Sequence, residues 1–540
     1  GSLFNNITNL DFGNALQIVQ EILAMSMLRL ALGEYYWNAT RIIPAGVGEV
    51  GPITEFPFFT FLYGDLHAHM ISMPITLLVV AWTISIMLPN MRTKFLSYEI
   101  IHCCMGGFFV GLLGVTNTWD YPGYLLLCCF AIFWQSNGNN TNQVRGFLFG
   151  ALRSIVVVLI SYLLFLPYYK WNGSFYSDLV IWKGSKTPLI SYFEIHGLFL
   201  FIIFCFLFVK TKNFLGTREG LWGSLIGSSP IKYGVVIPVV LIILSVVFYR
   251  SGIYITPVVV IIVTWSCYLL LLSNDDISTR FCYGMICFAV LITYGVETVN
   301  VAGDIGRMNT VFKFYLQAWT IFSVVCGVAF SFLIASSYLW SSIFKNAWSI
   351  MMTVLIFISA SYTVLASSAK IRDRIISNAS SLDGMNFMVD GVYYDRGQEI
   401  SLRNDYNAII WMQDNVKGSP TIVEAHTPEY RWGSRYSIYT GLPTVIGWNW
   451  HQRQQRGFIG SRSVVERVEE VSRFYSDPKV SNAVQFLKKY NVSYIVLGEY
   501  EFLYYPMEGM EKFRKMVELD ILSIEYDELG TTIYGYRIKP

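Results

Sequence analysis

Asp65-Leu-His67-Ala-His69 places a carboxylate and two imidazoles within five residues, and Glu55 lies ten residues upstream in the same stretch, EFPFFTFLYGDLHAH. In an extended segment, residues two apart share a face. The three side chains would then converge as a metal site or an acid/base pair requires. On a helix they point apart; Asp65 then caps the following span and the two histidines sit in the headgroup layer.

Three further constellations carry polar chemistry beside apolar runs. Asn117-Thr-Trp119-Asp120-Tyr-Pro122 offers a carboxylate at a joint, or simply a capped turn with an interfacial Trp. Glu297, Asp304, Arg307, Asn309 and Lys313 follow one another from the end of one run into the next. Arg307 and Lys313 suit a phosphate clamp, set about 120° apart if the segment is helical. The alternative pairs them with Glu297 and Asp304 as a salt-bridge network. Ionisable groups at membrane level are functional sites by default. The fourth constellation comprises Glu424, His426, Glu429, Arg431 and Arg435, then Gly447-Trp448-Asn-Trp450-His451-Gln-Arg453. Paired Trp residues beside polar groups suit sugar stacking and equally suit a domain resting on a membrane.

The elements that must position these residues are mostly apolar. Of 540 residues, 54% are hydrophobic and only 14% charged, with a mean hydropathy of +0.45; a soluble domain carries about 25% charged residues. An ordinary cytosolic protein, a disordered chain and a coiled coil are excluded. The formal net charge of +2 has no concentrated basic face behind it, so no nucleic-acid partner is expected. Ten runs approach the roughly 20 apolar residues a span needs: 70–88, 101–117, 119–135, 146–168, 192–209, 233–249, 254–273, 281–297, 314–336 and 347–367. Residues 14–33 read as an interfacial amphipathic helix. Alternation gathers 51–69, 117–122, 169–191, 250–253, 298–313 and everything after 368 on one face. Five of the six histidines fall there or at its edge, His102 being the exception. Charge does not say which face is cytoplasmic, because each carries nine cationic residues near its spans.

All nine cysteines lie in apolar runs, which suits small buried hydrophobes rather than a disulfide framework. The opening GSLFNNITNLDFGNALQIVQ reads as a start inside a longer protein. From about residue 400 helix and strand alternate: helices at 405–415, 464–474 and 481–489, strands at 421–425 and 494–497, and a hairpin around Leu529–Gly530. The expectation is a polytopic α-helical membrane protein of about ten spans with a C-terminal soluble α/β domain. Its divisions are an outer-face segment 1–69, a membrane domain 70–367, a linker 368–400 and an exoplasmic α/β domain 401–540.

The segments EFPFFTFLYGDLHAHM, NTWDYP, KTPLISYFEIHG, RMNTVFKFYLQAW, LDGMNFM and YTGLPTVIGWNWHQRQQR resemble the YYY family of polytopic membrane proteins from Chloroflexi and archaea, also catalogued as DUF2298. That family is in turn similar to the GT-C superfamily, integral-membrane glycosyltransferases that use lipid-phosphate sugars and carry an outward-facing soluble domain. The resemblance implies an active face on the extracellular side of the plasma membrane, and a principal carboxylate in an outer loop upstream of these residues. Two departures stand out: Ala68 replaces the family's Pro, and His451-Gln452 replaces its His-Glu.

On this reading the chain moves a sugar from a polyprenyl-phosphate donor to an acceptor on the outer face. Asp65, His67, His69 and Glu55 are the expected acid/base residues, and Asp65, His67 and His69 the candidate ligands of a divalent cation such as Mg or Mn. Asp120, Glu297, Asp304, Arg307, Asn309, Lys313, Arg435, Trp448, Trp450 and His451 are the expected substrate-binding residues. Membrane lipids, the polyprenyl-phosphate sugar donor and either a separate chain or upstream helices are the expected partners. The alternative is a non-catalytic membrane subunit of a larger assembly that retains the GT-C scaffold.

Overall fold

The computed structural model describes residues 35–87, 96–139, 143–172, 178–216, 249, 252–374, 381–456 and 460–536. The chain forms two compact units and passes from the first to the second between Asp373 and Arg374. The amphipathic reading of 14–33 and all of the 233–249 run but residue 249 fall outside the described residues.

In the first unit, the apolar runs become helices, one of them with Pro74 in its interior. In chain order these are α1 (Pro57–Tyr63), α2 (Ala68–Ser85), α3 (Leu96–Thr116), α4 (Tyr121–Asn139), α5 (Gln143–Leu163) and α6 (Leu166–Trp171). After strand β1 (Leu179–Ile181) come α7 (Leu189–Gly216), α8 (Thr256–Leu272), α9 (Ile277–Thr298), strand β2 (Val299–Val301), α10 (Met308–Ser336) and α11 (Ser342–Arg374). Seven of the described helices are long and apolar enough to cross a membrane: α2, α3, α5, α7, α9, α10 and α11, while α8 is apolar but shorter. The expected count of about ten is therefore not confirmed. Length explains part of the difference, because α8 has 17 residues against the roughly 20 a span requires.

Close helix contact fixes some residue types. A Cβ on Gly106 of α3 would lie 2.1 Å from the Trp82 ring of α2, so only glycine lets the two helices meet there. Trp82 donates its indole N–H to the His102 carbonyl at 3.1 Å, and its ring stacks on the His102 imidazole. Asp276 caps α9, accepting from the Ser278 and Thr279 amides.

At one end of the bundle the loops interlock. Strands β1 and β2 pair antiparallel, Leu179 opposite Val301. Ser191 Oγ donates to the Ile42 carbonyl at 3.1 Å, and Glu49 accepts from the Ser185 amide and hydroxyl. Near its C-terminus, α11 turns Lys370 inward among the rings of Tyr36, Trp37 and Tyr63, 4.9, 5.7 and 4.9 Å from the centroids.

The second unit continues with β3 (Val392–Asp395), β4 (Gln398–Ser401), α12 (Leu402–Asn415), β5 (Thr421–Val423), α13 (Arg435–Thr440), α14 (Asn449–Gln455), α15 (Arg462–Ser476), α16 (Val480–Tyr490), β6 (Val492–Leu497), α17 (Glu499–Tyr504), α18 (Met507–Glu518), β7 (Leu522–Glu528) and β8 (Thr531–Tyr536). Its main sheet has the order β5-β6-β8-β7. β5 and β6 run parallel, whereas β6–β8 and β7–β8 are antiparallel. The hairpin turns at Leu529 and Gly530, both at positive φ (51° and 79°), which suits a two-residue turn matching strand twist. Gly441 ends α13 at φ 74°, the left-handed cap glycine adopts most readily.

Lys512 on α18 is buried against the Phe513 and Phe474 rings, its ammonium donating to the Gly509 carbonyl at 2.6 Å. Burial lowers its pKa to about 8, so the charged form is costly at neutral pH. Lys512→Met should raise the stability of this unit at pH 7 by about 1–3 kcal/mol. The sign follows from linkage: with a folded pKa near 8 and an unfolded one near 10.4, the native protein gains stability as pH rises across that window. The advantage of the Met variant should therefore shrink between pH 8 and about 10.4. Thermal unfolding at pH 7 and pH 10 checks this; an equal loss at both would mean that the carbonyl hydrogen bonds outweigh the burial cost.

Candidate functional site

Three sequence-distant segments converge where α2, the α3–α4 joint and α10 meet. Lys313, one turn into α10, lies 2.9 Å from His69 Nδ1 on α2. Its ammonium can only donate, so Nδ1 accepts and the His69 proton belongs on Nε2, which faces Glu55 Oε2 at 3.9 Å. The result is a Lys313–His69–Glu55 chain whose imidazole is packed edge-on against Phe312, 4.5 Å between ring centroids. In the same region, Asp120 Oδ2 accepts from Ser72 Oγ at 2.8 Å and Asn117 Nδ2 at 2.9 Å.

Both carboxyl groups of this cluster sit above their ordinary pKa values. Burial raises Glu55, opposed by Arg41 and Lys313. Burial also raises Asp120, opposed by the Ser72 and Asn117 hydrogen bonds and by Lys313. At the rim, Asp65 Oδ2 lies 2.7 Å from His67 Nδ1, and both side chains are about half exposed (47% and 52%). A carboxylate holding Nδ1–H leaves Nε2 as the nitrogen that accepts a proton.

The geometry corrects several expectations. The chain is extended only as far as His67, which occupies the N-cap of α2; helix begins at Ala68. Asp65 therefore does not cap the span, and His69, its ring centroid 5.7 Å from that of His67, makes its close polar contact with Lys313 and not with Asp65. As a metal site, Asp65, His67 and His69 do not fit: no group of three or more His, Cys, Asp or Glu among the described residues is placed to hold an ion.

Arg307 and Lys313 do not clamp a common ligand. Arg307 is 1% exposed and its Nη1 lies 2.6 Å from Glu297 Oε1, itself fully buried. Thr187 completes this brace, donating its amide and hydroxyl to Glu297 at 2.9 and 2.5 Å. Lys186 adds a 2.6 Å bond to the Glu297 carbonyl. A carboxylate buried at the end of α9 needs a cation and donors beside it, and Arg307 is consumed in that role. Asp304 accepts from the Asn309 amide and side chain and from the Thr310 amide and hydroxyl, so Asp304 and Asn309 hold the entry to α10.

The sequence profile of the uncharacterized membrane protein family DUF2298 matches residues 5–322. The chain belongs to that family. Two solved chains from Archaeoglobus fulgidus align along most of the DUF2298 chain. One is an oligosaccharyltransferase crystallised with Zn and sulfate, at 11% identity, 94% of this chain, 60% of that one and a TM-score of 0.36. The other is oligosaccharyltransferase AglB with an inhibitory peptide and a dolichol-phosphate, at 12%, 95%, 62% and 0.35. The DUF2298 chain thus spans about 60% of the length of these structures. No curated protein matches it.

In the second unit of the DUF2298 chain, Arg435 is not available to a substrate. It is 1% exposed, with Nε 2.7 Å from Asp405 and both terminal nitrogens on Glu501 at 3.1 and 2.9 Å. Trp448 and His451 stand together with Tyr430, ring centroids 5.3–5.7 Å apart. Trp450 is 38% exposed, its amide held by Glu429 at 2.7 Å.

Sequence reading missed Ser72, Arg41 and the Lys186–Thr187 pair. Ser72 was within reach, since it lies three residues after His69 and so on the same helical face. Thr187 carries no such signal: only the fold brings it to Glu297, 110 residues away.

Proposed function

We propose that this DUF2298 chain is a GT-C-type membrane glycosyltransferase, moving a sugar from a polyprenyl-phosphate donor to an acceptor hydroxyl at the extracellular end of the bundle. The convergence of GDLHAH, NTWD and RMNTVFK residues into one cluster carries the reading. Distant segments supply a half-exposed carboxylate–imidazole pair, the buried Asp120 carboxyl, the part-buried Glu55 carboxyl and a buried cation at the lip of the spans.

In this reading His67 Nε2 takes the acceptor proton while Asp65 orients the ring and balances its charge. The acceptor oxygen bonds to the anomeric carbon, and the bond from that carbon to phosphate oxygen breaks with its electron pair. Polyprenyl phosphate leaves, its charge met by Lys313 and by Arg41 near Glu55. Asp120 and Glu55 hold Lys313 and His69 in place.

Full-length chain in nanodiscs, given a radiolabelled short polyprenyl-phosphate hexose, tests it. Transfer by the native chain should fall about 10²–10⁴-fold in His67→Asn, and lipid-phosphate binding should persist. The rival reading, a non-catalytic subunit that keeps the scaffold, draws on Arg307 and Arg435, two expected ligand-binding cations neutralised inside the protein. A folded chain that binds the donor and neither transfers nor hydrolyses it supports that rival.

A further inference from the structure

A cavity of about 690 Å³ opens in the second unit between α13, residues 442–448, α14 and the start of α15. Its size falls in the range of small-molecule sites, about 300–1,000 Å³. One wall is aromatic: Trp448 is braced edge-on by Tyr430 and packed against His451, so its ring is held in place. Its indole N–H is buried with no hydrogen-bond partner among the described residues, although a buried indole normally finds one. The rest of the lining mixes hydroxyl and amide groups, such as Ser437 and Gln452, with aliphatic side chains such as Ile438 and Val464.

The charge of the lining is one-sided. Arg456 and Arg467 line the cavity, and none of its lining residues is acidic. Arg467 is fixed, donating to the Val445 carbonyl at 3.0 Å and lying over the Tyr490 ring, whereas Arg456 at the end of α14 is exposed. A flat aromatic wall with aliphatic and hydroxyl or amide groups around it suits a sugar ring, which has an apolar face and a polar rim, and guanidinium groups suit an anionic substituent on it.

We propose that this cavity binds an acidic saccharide, a sugar ring carrying a carboxylate, sulfate or phosphate group. As the acceptor of the transfer it rests on the function proposed above; the binding itself does not.

Calorimetry on the full chain in neutral-lipid nanodiscs tests it, with a trimer of galacturonic acid, a neutral glucose trimer and inorganic phosphate as probes. The acidic trimer should bind at least about tenfold tighter than the other two, and Arg456→Gln and Arg467→Gln should each weaken it about tenfold. Trp448→Phe, which keeps a smaller aromatic face and removes the N–H, should weaken all saccharide binding. His67→Asn should leave it unchanged, and saccharide binding by a native chain that transfers no sugar counts against the transferase reading alone. Equal binding of the neutral trimer, equal binding of bare phosphate, indifference to all three substitutions, or no saccharide binding by the folded chain would each overturn the proposal.

Discussion

Arg435→Met should destabilise the C-terminal unit by about 3–5 kcal/mol, because it strips the cation from two buried carboxylates. Asp405 and Glu501 side chains are 6% and 0% exposed, and their other partners are neutral donors: Trp432 and Tyr436 on Asp405, the Ala425 and Gly498 amides on Glu501. Domain stabilities are about 5–15 kcal/mol in total, so the variant should open this unit to protease far more often than the native chain does. Limited proteolysis of the full chain should yield early cuts within 401–536 while the membrane helices stay protected. A triple variant, Arg435→Met with Asp405→Asn and Glu501→Gln, should recover part of the loss, since it leaves no unpaired charge behind. A stable Arg435→Met variant that lost only ligand binding would return Arg435 to the role its sequence context suggests.

Arg435 also marks where sequence reading stops. The Leu529–Gly530 turn and the strands read at 421–425 and 494–497, observed at Thr421–Val423 and Val492–Leu497, were legible because turn chemistry and apolar runs act locally. The membrane class was legible from composition alone, and so was the grouping of Glu55, His69, Asp120 and Lys313 at one end of alternating spans. Occupancy of each cation was not. Arg307 and Lys313 look equivalent six residues apart, yet the first is spent on Glu297 and the second faces His69. That distinction depends on which loop folds over which helix end, and Thr187 arrives from between two elements with no spacing rule to announce it. The Asp65-x-His67-x-His69 pattern misled for a related reason: its metal reading assumes one backbone state, and helix α2 begins inside the motif.

Lys313→Gln and Arg307→Gln should separate the reacting site from its scaffold. In Arg307→Gln the fully buried Glu297 loses its cation, a change costing about 3–5 kcal/mol, and the protein should fail to accumulate in membranes. Lys313→Gln differs, because a glutamine amide can still donate to His69 Nδ1 and the neighbouring carboxyls, already raised by burial, tolerate loss of the charge. That variant should accumulate normally, while transfer falls about 10²–10³-fold for want of a charge facing the departing phosphate. The double variant Arg307→Gln with Glu297→Gln removes both buried charges and keeps hydrogen-bonding groups toward Thr187. It should regain folding and retain transfer, as expected of a brace. Membrane yield and transfer rate, measured on the same preparations, decide between the roles. A folded double variant as inactive as Lys313→Gln would give Arg307 a direct part in catalysis, and full activity in Lys313→Gln would move the reacting site elsewhere.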